Sequence, residues 1–220
     1  MKFLKRLFGK KEQPTPREFS QEELEQHYEL KKKGLEDLLN NMHDMVGHAI
    51  IPFELGGAVD MYYFPNHIEG TAFATMELLD PDGNGPMKNR LGTYELIAFT
   101  RHKLNLDGDN PTPFNKAERD ACSYLSMIGK YSSMAVLNPN ETIEIPNGES
   151  GENTYFIFDK YPPNGNKFMI GDKEHHLLLC LRVFKSEWAY AKKNGSDALF
   201  NLLEEKGIYP YGDLDRDPIV

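Results

Sequence analysis

The run over residues 176–184, HLLLCLRVF, constrains the fold more than any other stretch of the chain. Seven of its nine residues are apolar, and they follow one another without the polar alternation of a strand that has one wet face. A segment this short and this apolar reads as a strand at the centre of a sheet. The rest of the chain must then supply neighbouring strands and helices to cover it.

Period-2 patterning marks further strands over residues 49–53, 58–63, 71–79, 93–100, 154–158 and 167–170, so the sheet is expected to hold about seven. Gly56-Gly57, Pro65-Asn66 and residues 83–85 punctuate the first four. Ser20 and Glu23 form a capping box that opens a helix expected over residues 21–42. Its stripe is Leu24, Tyr28, Leu35, Leu38, Leu39 and Met42, with Lys31, Lys32 and Lys33 assigned to the wet side as solubilising surface. Asn115 and Glu118 mark a second start, followed by Ala117, Ala121, Tyr124, Leu125, Ile128, Tyr131 and Ala135 on one stripe, and Asn138-Pro139 ends it. Residues 147–151 read as a polar turn. Helices are expected over 186–193 and 196–206, stopped by Gly195 and Gly207. Elements come in blocks rather than in strict alternation, which predicts an α+β fold: one domain over residues 20–220, with a mostly antiparallel or mixed sheet and flanking helices.

Residues 1–19 differ in character, being a basic tail and a Pro-rich linker. The first eleven residues carry five Lys and Arg and no acid, so a formal charge of -9 leaves -14 on the remaining 209. An acidic body repels phosphate backbones, which excludes general nucleic-acid binding, and it favours association with a basic protein. Phe3, Leu4, Leu7 and Phe8 share a helical face ringed by lysines, a pattern that fits weak membrane-surface contact or a solvated tail. No apolar run reaches the roughly 18 residues of a membrane span. The two cysteines, Cys122 and Cys180, both sit in apolar surroundings and point to a reducing, cytoplasmic compartment.

Chemistry-bearing motifs are scarce. Residues 80–85, DPDGNG, resemble the first half of a calcium loop, but the twelfth position is Leu91 instead of glutamate, so a tight polar turn is the better reading. His175 and His176 would point to opposite faces of a strand, and His43 and His48 are five apart, so no zinc set is expected. No nucleophile elbow, P-loop or dinucleotide fingerprint occurs. No cofactor, metal or catalytic residue is therefore assigned.

Three blocks together resemble the suppressor of fused family, in the form of the domain that bacterial members carry alone. They are Val59-Asp60-Met61-Tyr62-Tyr63-Phe64-Pro65 with residues 71–76 after it, Tyr94-Glu95-Leu96, and a C-terminal stretch. In that stretch the strand 177–184 leads into Ser186-Glu187, Gly195, Leu199, Leu202, Leu203 and Asp215-Arg216. The order and spacing cover most of residues 45–220. Thr75-Met76-Glu77-Leu78 stands where the family usually shows a Thr-Ser-Gly-Met-Ser-like run, and the tryptophan common near the start of the middle helix is missing. The resemblance implies an α+β domain that recognises other proteins without catalysis. It further implies a kinship with immunity proteins, which neutralise toxins, and a basic toxin would suit the acidic body.

Candidate partner-binding residues on this reading are Asp60, Tyr62, Tyr63, Glu77, Glu95, Glu187 and Arg216. Each has a structural reading beside the functional one. Asp60 and Tyr62 alternate with Val59, Met61 and Tyr63, so one set forms the outer face of a strand. Glu187 falls in a first helical turn, where a carboxylate favours the helix dipole. Arg216 is placed to pin the tail on an acid, Glu187 among others. Two other classes of function stay open: a membrane-peripheral regulator attached through residues 1–11, and a hydrolase with a dispersed site.

Overall fold

The computed structural model describes residues 17–107, 112–146, 151 and 153–220. The basic segment 1–11, the linker after it and most of the polar turn at 147–151 lie outside the described residues. Helix α1 (Gln21–Leu39) is followed by β1 (Val46–Gly47), β2 (Met61–Phe64), β3 (Thr71–Ala74) and β4 (Tyr94–Thr100). Then come α2 (Pro113–Ser132), β5 (Thr142–Ile145), β6 (Thr154–Tyr161), β7 (Phe168–Ile170), β8 (Lys173–Val183), α3 (Lys185–Asn194) and α4 (Ser196–Glu205). The strands form one mixed sheet in the order β1-β2-β3-β4-β8-β6-β5, with β7 paired to the start of β8. Among the described residues only β4 and β8 run parallel, with Tyr94 opposite His176; the other pairings are antiparallel. This is the expected α+β domain around a mixed sheet.

Strand β8 is central, as its sequence requires. Leu177, Leu179, Leu181 and Val183 face a core built with Leu35 and Leu39 of α1, Ala191 of α3, and Leu199 and Leu203 of α4. Leu178 and Cys180 face the other way, into a core with Phe114, Ala121, Tyr124, Leu125 and Ile128 of α2. Both sides are dry, which removes the polar half of the usual strand alternation. Burying each large apolar side chain contributes about 1.5–3 kcal/mol, so this strand accounts for a large part of the driving force.

Several boundaries differ from the sequence expectation for identifiable reasons. Residues 49–53 form no strand: the edge strand is Val46–Gly47, and the following loop contains a single 3-10 turn over Phe53–Leu55. Pro52 cannot donate to a ladder, and Ile50 and Ile51 have no sheet partner and stand exposed. Strand β3 stops at Ala74 because the N–H groups of Leu78 and Leu79 turn inward to the Glu95 carboxylate at 3.3 and 3.0 Å. Helix α1 ends at Leu39, where Asn40 takes a φ of 64°. The cap of α2 is Thr112, whose hydroxyl oxygen accepts from the Asn115 N–H while Asn115 reaches back, with Pro113 in the first turn. Strand β5, weakly patterned and only partly buried, was not anticipated.

One correction matters for everything that follows. Lys31 is not on the wet face of α1: its side chain is 1 % exposed. Periodicity placed it beside Lys32 and Lys33, but a partner on β4 draws it inward.

Candidate functional site

Four of the seven candidate residues converge in one polar cluster between α1, β2 and β4. Lys31 Nζ donates to Glu95 Oε1 at 2.8 Å and to the carbonyls of Met76 and Leu79, each at 2.7 Å, so all three of its protons are used. Glu95 also accepts from the Thr75 hydroxyl at 2.7 Å and from the N–H groups of Leu78 and Leu79. Glu77 lies beside this pair and accepts from the N–H groups of Met76 (3.1 Å) and Asp60 (3.3 Å). Burial first, then the nearby Glu95 and Asp60 carboxylates, push its carboxyl up to about 8. The pKa of the Tyr62 hydroxyl is raised by burial first, then by the nearby Glu77 carboxylate. Asp60 completes the chain outward, accepting from the Ala49 N–H at 2.9 Å and meeting His48 Nδ1 at 2.7 Å.

The remaining three candidates lie apart from this cluster. The Tyr63 hydroxyl donates to Glu118 on α2 from the opposite face of the sheet. Glu187, wholly buried, accepts from both terminal nitrogens of Arg216 at 2.6 and 3.0 Å and from the N–H groups of Phe184 and Ile219. That contact pins the C-terminal tail, as one structural reading anticipated. Of the candidates, Tyr62, Tyr63, Glu95 and Glu187 are buried, Glu77 and Arg216 are partly so, and Asp60 keeps 23 % of its side chain in solvent.

Two surface features emerge that sequence reading did not pick out. The first is apolar. Ile50 is fully exposed, and Ile51 and Leu55 are more than half exposed, on the loop between β1 and β2. This loop is clamped onto α2: Lys130 Nζ donates to the Gly56 carbonyl at 2.6 Å, and the Phe53 ring packs where Gly129 leaves room. Met127 and Tyr131, four apart on α2, and Met134 in the turn beyond it are exposed on the same side of the helix as Lys130. Tyr131 had been expected in the buried stripe; instead it joins this outer face. The only signal in the sequence was the apolar pair Ile50-Ile51 directly before a proline.

The second feature is a cavity of about 520 Å³ with mixed polar and apolar walls, at the ends of the parallel strands β4 and β8 and under the first turns of α2. Lys116, Asp120, Arg182, His102, Asp213 and Asp215 line it. Arg182 Nη1 donates to Asp120 at 2.8 Å. Asp213 accepts from the Thr100 hydroxyl and the Arg101 N–H at 2.6 and 2.7 Å. His102 Nε2 lies 3.0 Å from Asp215 Oδ2.

Cys122 is half-buried with its thiol pKa pushed up by burial, and Cys180 is buried. Neither has the character of a nucleophile. Among the described residues, no helix is long and apolar enough to cross a membrane.

The domain has the fold of suppressor of fused proteins. A chain of the Sufu–Fu complex superposes with a TM-score of 0.57 at 17 % identity, covering 87 % of this chain and 91 % of that one. A putative suppressor of fused homologue from Neisseria gonorrhoeae FA 1090 gives 0.54 at 13 % identity, covering 88 % and 97 %. No family model and no curated protein matches the sequence.

Proposed function

We propose that this chain is a non-enzymatic protein-binding module that docks its partner on the apolar face formed by residues 50–55 and the C-terminal half of α2. The observation that carries this reading is the display of Ile50, Ile51 and Leu55 on a loop clamped to α2, a helix that itself exposes Met127 and Tyr131, with Met134 exposed just beyond its end. An exposed apolar group with a rigid backbone loses little entropy on binding, and clustered exposed apolar residues mark interaction sites. Asp60 supports the face by holding the backbone of Ala49, one residue before Ile50. Glu77 accepts from the Asp60 N–H just before β2, Tyr62 and Glu95 stabilise the strands beside it, and the Glu187–Arg216 pair with Tyr63 secures the scaffold.

The partner we propose is a basic protein, in the manner of an immunity protein that neutralises a basic toxin in the cytoplasm. The acidic body supports this choice, since opposite charge steers encounter and an acidic inhibitor can occupy a phosphate-binding surface. The shared fold with a chain of the Sufu–Fu complex supports protein binding in general.

The test uses the full-length chain and the basic protein that co-purifies with it at low salt. Ile50→Asp with Leu55→Asp, and separately Met134→Asp, are expected to weaken the complex at least tenfold, while the association rate of the unaltered chain falls as salt rises. Unchanged affinity in both variants would remove the apolar face from the proposal. Salt-independent association would remove the basic partner.

A further inference from the structure

We propose that His102, Asp213 and Asp215 bind a first-row divalent transition ion, Zn2+ being the best suited, on the wall of that cavity. One atom from each side chain, an imidazole nitrogen and two carboxylate oxygens, lies within 4.8 Å of the others. A tetrahedral ion with ligands at 2.0–2.2 Å needs ligand atoms about 3.4 Å apart, so a small rotation of side chains closes the set. Asp215, 57 % exposed, is free to make that rotation. One imidazole with two carboxylates suits Zn2+ and its neighbours better than Mg2+ or Ca2+, which prefer all-oxygen shells.

The surroundings hold the set as outer-shell groups hold known metal sites. Asp213 is oriented by the Thr100 hydroxyl and the Arg101 N–H, and each oxygen keeps a lone pair for an ion. The His102 backbone is fixed on both sides: its N–H meets the Thr100 hydroxyl, and its carbonyl accepts from Thr71. The two aspartates are carried by the tail, which is anchored where the Gly212 N–H bonds the Phe99 carbonyl and where Arg216 enters its pair with Glu187.

A second observation points to a ligand in the same cavity. Arg182 Nε is buried on the cavity wall with no hydrogen-bond acceptor among the described residues, although Nη1 of the same group is paired with Asp120. Three protein ligands leave a coordination position open toward the cavity, and an anion or hydroxide held there supplies such an acceptor. The positive charges of Arg182 and Lys116 face Asp120 and the cavity interior, while Asp213 and Asp215 bring two negative charges to the ion.

Titration of the full-length, tag-free chain with ZnCl2 by calorimetry tests the site, with MgCl2 and CaCl2 for comparison. One Zn2+ per chain is expected, bound far more tightly than Mg2+ or Ca2+ and raising Tm. His102→Gln and Asp215→Asn should each weaken Zn2+ binding tenfold or more, and Asp215→Asn should leave the metal-free Tm near that of the parent because Asp215 is exposed. Asp215→Glu should keep part of the affinity. Zn2+ affinity unchanged in both variants, or no one-to-one binding at neutral pH, would overturn the proposal.

Discussion

Lys31 Nζ stands 2.8 Å from Glu95 Oε1, with neither side chain reaching solvent. The pair joins the first helix to the strand that runs parallel to the central one, and the loop 75–79 wraps around it. Every proton of the ammonium and four acceptor positions of the carboxylate are occupied. A buried network satisfied this completely specifies one arrangement of its elements.

Removing one partner is expected to be costly because the other charge is left without compensation. Lys31→Met should destabilise the fold by about 3–5 kcal/mol. Glu95→Leu should cost a similar amount, since it also strands the N–H groups of Leu78 and Leu79. The double variant should cost less than the sum. Urea denaturation of all four proteins measures the coupling, and additive losses would contradict it.

Gly34 lets α1 lie against β7. A Cβ there would fall 1.8 Å from the Met169 carbonyl oxygen, so Gly34→Ala must push the helix away. Alanine favours the helix by roughly 1 kcal/mol over glycine, yet overpacking should still leave a net loss of about 1–3 kcal/mol. Because Lys31 sits one turn earlier, the shift should also weaken its reach to Glu95. A stabilised variant in urea denaturation would refute this packing account.

The C-terminal tail should depend on Arg216. Arg216→Ala leaves the Glu187 carboxylate buried without its cation and should cost about 3–5 kcal/mol, with new protease cleavage within residues 207–220. Arg216→Lys keeps the charge but loses the two-pronged contact, so it should fall between the parent and alanine. Limited proteolysis followed by mass determination distinguishes these outcomes.

Glu77 should set a pH dependence. Its carboxyl is raised from 4.5 to about 8, so the folded protein keeps a proton that the unfolded chain releases. The contribution of that proton to stability is complete below about pH 4.5, is lost as pH rises toward 8, and is level above it. Glu77→Gln is expected to flatten the profile between those limits and to be relatively more stable at pH 8. Urea midpoints across the range measure the effect, and parallel profiles for parent and variant would contradict it.

Local signals in the sequence determined the elements. The unbroken apolar run of β8, the Ser20–Glu23 capping box and the stripe Ala121, Tyr124, Leu125 and Ile128 each concern neighbours within a few residues, where periodicity and backbone chemistry decide. The conjunction of blocks around Asp60, Glu95 and Glu187 also led to the fold seen here. Tertiary structure alone decided which polar residues meet. Lys31 has the same helical setting as Lys32 and Lys33, and only Glu95, arriving with β4, makes it a buried residue. Residues 49–53 have strand-forming composition, but a strand exists only where a partner pairs with it, and the sheet ends at Val46–Gly47. His102 and Asp215 are more than a hundred positions apart, and the register of β4 with the pinned tail brings them to 3.0 Å. Such contacts depend on how strands align and helices dock, a property of the whole chain that no short window of residues contains.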